Sequence, residues 1–535
     1  MPLLCFPPFR ILRRERCVVT AFDNKGRDSF PANPIVYFLM TDRFHSAGSA
    51  ALGSYGRAID PSGIGTFHGG NFAGVTQKLR EGWFTGLGIN AIWISAPYEQ
   101  IHGWVSGNGG FAHEPYHGYW PLDFTCVERN FGDAAALREL VDTAHAAGIA
   151  VILDVAMSHV GYVVRPSGGA PAGTALPQCW GPEWVRADAP GYLPGGDDDL
   201  TRISFDLPKL RTECDDAVTL PAALRDKPDT RAVELEATPV RGYLVQWLAR
   251  WVRDFGIDGF RCDSARHVDL RCWSELKQAA DHALRAWRVE HRDSGSTPFW
   301  MVAEAYGHGL QRSAYFDGGF DSVLNFDFQH ELGAILADVD MATPFGRGLV
   351  WRRLDKLFAR YAAELAAGRH DVLSYLSSHD TGLFCREQLR LGATALMTLP
   401  GGVQLFYGDE SARPPLASDD PAQAARSDMN WHSVDPGLLA HWQRLGRFRR
   451  AHVALARGAH QRLCMAPYVF ARSDPASGER VLVAWGPGQT RVCVRTLFAD
   501  GTRLRDIDAG QTFTVVDGHV ELAVEELLLL EMDGD

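Results

Sequence analysis

Eight short apolar runs, most rich in β-branched or aromatic residues, recur along this chain, and amphipathic stretches lie between several of them. That alternation leaves few folds open. The runs are 34–44 (PIVYFLMTDRF), 89–97 (INAIWISAP), 149–159 (IAVILDVAMSH), 259–264 (GFRCDS), 299–306 (FWMVAEAY), 321–328 (DSVLNFDF), 372–380 (VLSYLSSHD) and 401–410 (GGVQLFYGDE). Near-continuous apolar strands are buried on both faces, and strands alternating with helices favour a closed parallel (β/α)8 TIM barrel. An open doubly wound sheet is the alternative on pattern alone. Helices are expected at 243–255 and 270–288, and most clearly over 133–148, where Asp133 caps the start and Gly148 ends it.

The pattern breaks in three places. Residues 1–32 read as an irregular N-terminal arm. Residues 160–240 are Pro-, Gly- and Asp-rich and too long for an ordinary βα loop, so an inserted subdomain after the third strand is expected there. It splits the barrel into 33–159 and 241–455. Beyond 456 the helical pattern stops and short strand-like runs with turns take over, which predicts an antiparallel β domain over 456–535.

Charge narrows the partners. Lys plus Arg number 53 and Asp plus Glu 65, a net charge of −12, which argues against coating nucleic acid. No run is long and apolar enough for a membrane span, and a monomer is expected. The apolar stretch 1–9 precedes the basic cluster Arg10, Arg13, Arg14 and Arg16, the reverse of a secretory leader. The sequence as written is therefore expected to be cytoplasmic. The ten cysteines show no metal-like spacing and read as isolated thiols, a Cys179–Cys214 pair being the alternative.

Polar residues gather at the C-terminal ends of the expected strands, the face on which barrels build active sites. The third run ends in Asp154 and His159, the fourth carries Arg261 and Asp263 followed by Arg266 and His267, the fifth ends in Glu304, and the seventh in His379 and Asp380. Asp263, Glu304 and Asp380, three carboxylates converging from three strands, need a reason, because buried charges must be paired. Glycoside hydrolysis supplies one: a nucleophilic carboxylate and a protonated carboxylic acid flank the bond. Arg261 and Asp263 lie two apart on one strand and so share a face, where the guanidinium would hold the acid ionised. Glu304 ends an apolar strand whose burial favours the protonated form.

The motifs DVAMSH, GFRCDSARH, MVAEA and YLSSHD, in this order, resemble the four short regions of the α-amylase superfamily of glycoside hydrolases, most closely its bacterial periplasmic members. YHGYW (116–120), FYGDE (406–410) and RSDMNW (426–431) add to the likeness. The resemblance implies a barrel with a subdomain inserted after strand three and a C-terminal antiparallel β-sandwich, and a retaining endo-acting hydrolase of α-1,4-glucosidic bonds in maltodextrin or starch. Asp263 would be the nucleophile, Glu304 the general acid/base and Asp380 the third carboxylate. It further implies that Arg261 orients the nucleophile and that His159, His379, Tyr119 and His117 surround the sugar at the cleavage point. Arg266 and His267 would touch the sugar on the leaving side. An exo-acting α-glucosidase, a glucan transglycosylase and a non-catalytic sugar-binding homologue stay open as alternatives, and the periplasm as an alternative compartment. Many family members hold calcium between barrel and subdomain. Here Ser158 and Lys209 stand where ligands are expected, so neither metal nor other cofactor is expected at that place.

Overall fold

The computed structural model describes residue 27 and residues 29–48, 53–56, 58–107, 110–162, 180–508 and 510–533. Eight parallel strands close into a barrel in sequential order: β1 (Ile35–Leu39), β2 (Ala91–Ile94), β3 (Ala150–Ala156), β4 (Gly259–Asp263), β5 (Trp300–Ala303), β6 (Ser322–Asn325), β7 (Asp371–Tyr375) and β8 (Gly402–Phe406). Apart from Asp371 at the start of β7, every residue of these strands is buried. That explains their lack of a polar/apolar alternation.

Several strands stop earlier than the apolar runs. β1 ends at Leu39, and Thr41–Phe44, expected within the strand, is a helical turn. Its Phe44 ring packs 5.9 Å from Tyr37 and 5.7 Å from Phe84. β6 likewise gives way to a helix, Asp327–Leu336. An apolar run reports burial, and a loop folded over the barrel mouth buries side chains as well as a strand does. The helix Ala134–Ala146 has its Asp133 cap accepting from Ala136 N, and Gly148 follows at φ 68°, a left-handed exit that a residue with Cβ resists.

The chain end that reads as an irregular arm contributes to the barrel floor. Arg27 is buried, with Nη2 2.9 Å from Asp258 and Nη1 2.8 Å from Asp293. Phe30 stacks edge-on to Trp300 at 5.1 Å. Between β2 and β3, Tyr98–Gln100 pairs with Pro121–Val127, and Val105–Ser106 with Ala112–His113. After β3, the described part of the insertion holds the two-stranded pair Val185–Arg186 and Lys209–Leu210. Its Trp184 stacks on Trp247 of the helix Val240–Phe255 at 5.8 Å and 3°. The Cys179 half of the alternative disulfide lies outside the described residues, while Cys126, Cys262 and Cys272 are buried free thiols.

The C-terminal segment forms a six-stranded antiparallel sheet faced by a two-stranded ribbon, Gly488–Cys493 with His519–Val524. Period-two alternation gives the sheet two jobs. Tyr468, Phe470, Leu527 and Leu529 join the barrel's core, while Val469, Ala471, Leu528 and Leu530 form a separate core with the ribbon. Among the described residues no helix is long and apolar enough to cross a membrane.

One buried cation ties a barrel helix to the approach to β8. Arg449, from the helix Pro436–Ala451, donates to Met397 O at 3.0 Å, Leu399 O at 2.8 Å and Gly401 O. These carbonyls end the helix Leu389–Met397 and lead into β8, so the charge meets the negative end of a helix. Arg449→Met fills the space but orphans the carbonyls. Its expected cost is about 3 kcal/mol of unfolding free energy, read from urea denaturation.

Candidate active site

Strand register builds the centre of the site. Asp154 on β3 and Arg261 on β4 are lateral partners, so their side chains enter the barrel at one level. Arg261 Nη1 lies 2.9 Å from Asp154 Oδ1 and 2.7 Å from Asp263 Oδ1, two residues further along the same strand. Its Nη2 faces two more acids, Glu304 Oε2 at 3.9 Å and Asp380 Oδ2 at 3.7 Å. One fully buried guanidinium thus sits among four carboxyl groups. The Trp93 ring lies 5.2 Å from its carbon, and Trp93 Nε1 donates to Asp154 at 3.2 Å.

The charges around Arg261 are unequal. Burial, reinforced by the charges of Asp263 and Asp380, pushes the Glu304 carboxyl up to about 8, against the pull of Arg261. Ser264 N, at 2.7 Å, donates to Glu304 Oε2. Burial likewise raises Asp154, to about 6. Asp263 holds the shortest contact with the guanidinium among the four acids. Asp380, at the mouth, is the most open, with a side chain 30% exposed.

Tyr119 arrives from the loop before Pro121–Val127. Its hydroxyl lies 2.7 Å from both Asp154 Oδ2 and His379 Nε2. A phenol has one proton, so donation to Asp154 leaves His379 donating from Nε2, as the nearby Asp380 Oδ1 at 3.3 Å also favours. Burial and the charges of Arg426 and Arg261 hold the His379 imidazole well below its ordinary range, hence neutral. The Tyr119 ring lies stacked between His117 and His379, each 5.6 Å away.

Other expected residues sit further back. His117 is buried, and its Nδ1 accepts from Tyr119 N at 3.0 Å, which makes it a support for Tyr119. His159 has both ring nitrogens engaged, Nε2 with Tyr119 O at 2.9 Å and Nδ1 with Ser158 Oγ at 2.6 Å. Arg266 and His267 follow the β4 end on a turn outside the Arg261 cluster. Both reach Asp199 of the insertion, Arg266 Nε at 2.7 Å from its carboxylate and His267 Nδ1 at 2.9 Å from its carbonyl. Arg426 belongs to the motif RSDMNW but escapes individual notice in the sequence. Its Nη2 lies 3.6 Å from Asp380 Oδ1 and its Nε donates to His379 O at 3.3 Å. A lone arginine in a loop carries no local signal of such a partner.

At the place where the family's calcium is expected, the structure has a buried ammonium. Lys209 is 2% exposed, and its ammonium donates to His267 O. Burial lowers that ammonium to about 8. The Ser158 hydroxyl is spent on His159. Calcium asks for six to eight oxygens, several of them anionic, and an ammonium in their midst repels it.

Comparison with known proteins identifies the family. The family model described as the α-amylase catalytic domain matches residues 38–170 and 225–458. The periplasmic α-amylase of Escherichia coli (strain K12) is 40% identical, over 85% of this chain and 72% of that protein. A cyclomaltodextrin glucanotransferase of Bacillus sp. (strain 38-2) is 32% identical over 83% of this chain, which spans only 57% of that relative. Among solved structures, an Anoxybacillus α-amylase shares the fold with a TM-score of 0.64 at 23% identity, over 95% of this chain and 99% of that one. The matched segments include all eight barrel strands apart from the first residues of β1, and the chain belongs to the α-amylase family of glycoside hydrolases.

Proposed function

We propose that this chain is an endo-acting α-amylase that hydrolyses α-1,4-glucosidic bonds in maltodextrin or starch with retention, Asp263 being the nucleophile and Glu304 the acid/base. The observation that carries the assignment is the unequal sharing of Arg261: Asp263 lies against the guanidinium at 2.7 Å, Glu304 stands at 3.9 Å and is pushed up by burial. An ionised Asp263 attacks the anomeric carbon while a protonated Glu304 gives its proton to the departing glycosidic oxygen. Glu304, now ionised, takes a proton from the water that opens the glycosyl–Asp263 ester, and both groups return to their first state. Asp380, open at the mouth and held by Arg261 and Arg426, accepts from sugar hydroxyls. Tyr119, part-buried and bonded to Asp154 and His379, borders the sugar beside them. Glucan transfer is the second reading, favoured by the likeness to the glucanotransferase. It differs only in which hydroxyl opens the ester.

The roles separate with an activated substrate. Asp263→Asn and Glu304→Gln should each lower kcat on maltodextrin by about 10^4-fold. An aryl maltoside with a good leaving group needs little protonation. It should restore rapid aryl release in Glu304→Gln and not in Asp263→Asn, as read by stopped-flow absorbance. Equal restoration of both would contradict the assignment.

The pH dependence follows from the proton on Glu304. A general acid works only while protonated, and a carboxyl raised to about 8 keeps its proton through neutrality. kcat/KM for maltodextrin should therefore fall on the alkaline side with an apparent pKa near 8. A limb near the ordinary carboxyl range of about 4 would show that burial does not protect the acid.

We also infer that the Lys209 ammonium takes the cation's place between barrel and insertion, supported by its burial and its bond to His267 O. Dialysis against a strong chelator should leave melting temperature and activity unchanged. A drop restored by calcium would overturn this.

A further inference from the structure

The turn that carries Arg266 and His267 is held at both ends. On its inner side it grows directly out of Asp263, with Ser264 in a left-handed conformation at φ 49°. Ser264 N and Ala265 N each lie 2.7 Å from Glu304 acceptors, the carboxylate and the main-chain carbonyl respectively. A proton donor faces the glycosidic oxygen that leaves, so a turn bonded to that donor borders the leaving-side sugar. On its outer side the turn is held by the insertion, through Lys209 on His267 O and through Asp199 on both side chains.

Asp199 makes two contacts of different kinds. Its carboxylate takes Arg266 Nε, and among the described residues neither Nη group of Arg266 has a protein partner. Its carbonyl can only accept, so His267 Nδ1 carries the proton and a neutral His267 presents Nε2 as an acceptor. Asp199 thereby holds Arg266 by Nε alone, leaving the Nη donors without a partner among the described residues, and fixes the ring orientation of His267, groups of the kind that bond sugar hydroxyls. The loop behind Asp199 is braced. Asp198 accepts from Leu200 N at 2.8 Å, Thr201 N at 2.9 Å and Thr201 Oγ1 at 2.8 Å. Gly196 N closes the turn onto Thr201 O at 3.0 Å.

Stability does not account for the pair. Arg266 and Asp199 side chains are 55% and 37% exposed, and ion pairs so open to water add little to stability. What the contact fixes is direction.

We infer that Asp199 is a positioning residue for the leaving-side subsite, through which the inserted subdomain sets how firmly the sugar beyond the scissile bond is held. This rests on the α-glucan hydrolase reading above. It makes the insertion a part of substrate recognition, acting on Arg266 and His267 without itself reaching the reacting atoms.

The test compares two substrates in four proteins: the wild-type chain, Asp199→Ala, Arg266→Ala and the double variant. Maltoheptaose places sugars beyond the scissile bond. An aryl maltotrioside places only its aryl group there. Asp199→Ala should lower kcat/KM on maltoheptaose about tenfold more than on the aryl maltotrioside, mostly through KM. The double variant should lose little beyond Arg266→Ala alone, because the two residues act as one unit. Asp199→Asn keeps the size and the main-chain carbonyl, and should show the same substrate bias if the alanine variant melts too low to assay. Equal losses on the two substrates, multiplying losses in the double variant, or no loss would each overturn the role. If the wild-type chain leaves maltoheptaose uncut, the hydrolase reading itself fails, and this inference with it.

Discussion

The guanidinium of Arg261 is the fixed point of this molecule. It is fully buried, and a buried charge survives only with close partners. It has four: Asp154, Asp263, Glu304 and Asp380 all lie within 4 Å. One positive charge cannot hold four negative ones in a low dielectric, even with Arg426 at the mouth. Some carboxyl must keep its proton. Geometry selects which: Glu304 is deeply buried and farthest from the guanidinium, and its carboxyl rises to about 8. The division between an ionised and a protonated acid thus follows from counting charges around one arginine.

Everything near that arginine serves to keep it in register. The β3–β4 pairing sets Asp154 beside it. Trp93 gives Asp154 a hydrogen bond and covers the guanidinium. Tyr119 bonds Asp154 and His379 together, and His117 and His159 hold the Tyr119 backbone. The resemblance places His117 and His159 beside the sugar. In the structure both ring nitrogens of His159 and the Nδ1 of His117 bond protein groups, so each of the two helps to position Tyr119.

The insertion after β3 meets the barrel at its most sensitive point. Lys209 and Asp199 close on the turn between Asp263 and the helix Leu270–His291. The Lys209 ammonium, on a tethered and buried side chain, bonds the main-chain carbonyl of His267 there. The same join leaves Arg266 facing outward. Architecture and recognition therefore share one interface, which is why a segment so irregular in sequence is so closely bonded in space.

Much of this was legible in the residues. Apolar runs, helix caps and period-two spacing are local, and they placed eight strands, the helix from Asp133 and the shared face of Arg261 and Asp263. The alternation of Tyr468 to Ala471 and Leu527 to Leu530 reports a sheet packed on both sides. Local signals overreached where burial continued past a strand end, as at Thr41–Phe44 and after Asn325. Partners distant along the chain were left to the tertiary structure. It decided that Asp154 faces Arg261, that Arg426 reaches Asp380, that Arg27 seals the floor and that Asp199 holds Arg266. Those pairings depend on strand register and loop closure over tens to hundreds of residues. A sequence states which groups carry charge; only the closed barrel states how far apart they stand, and Coulomb energy depends on that distance.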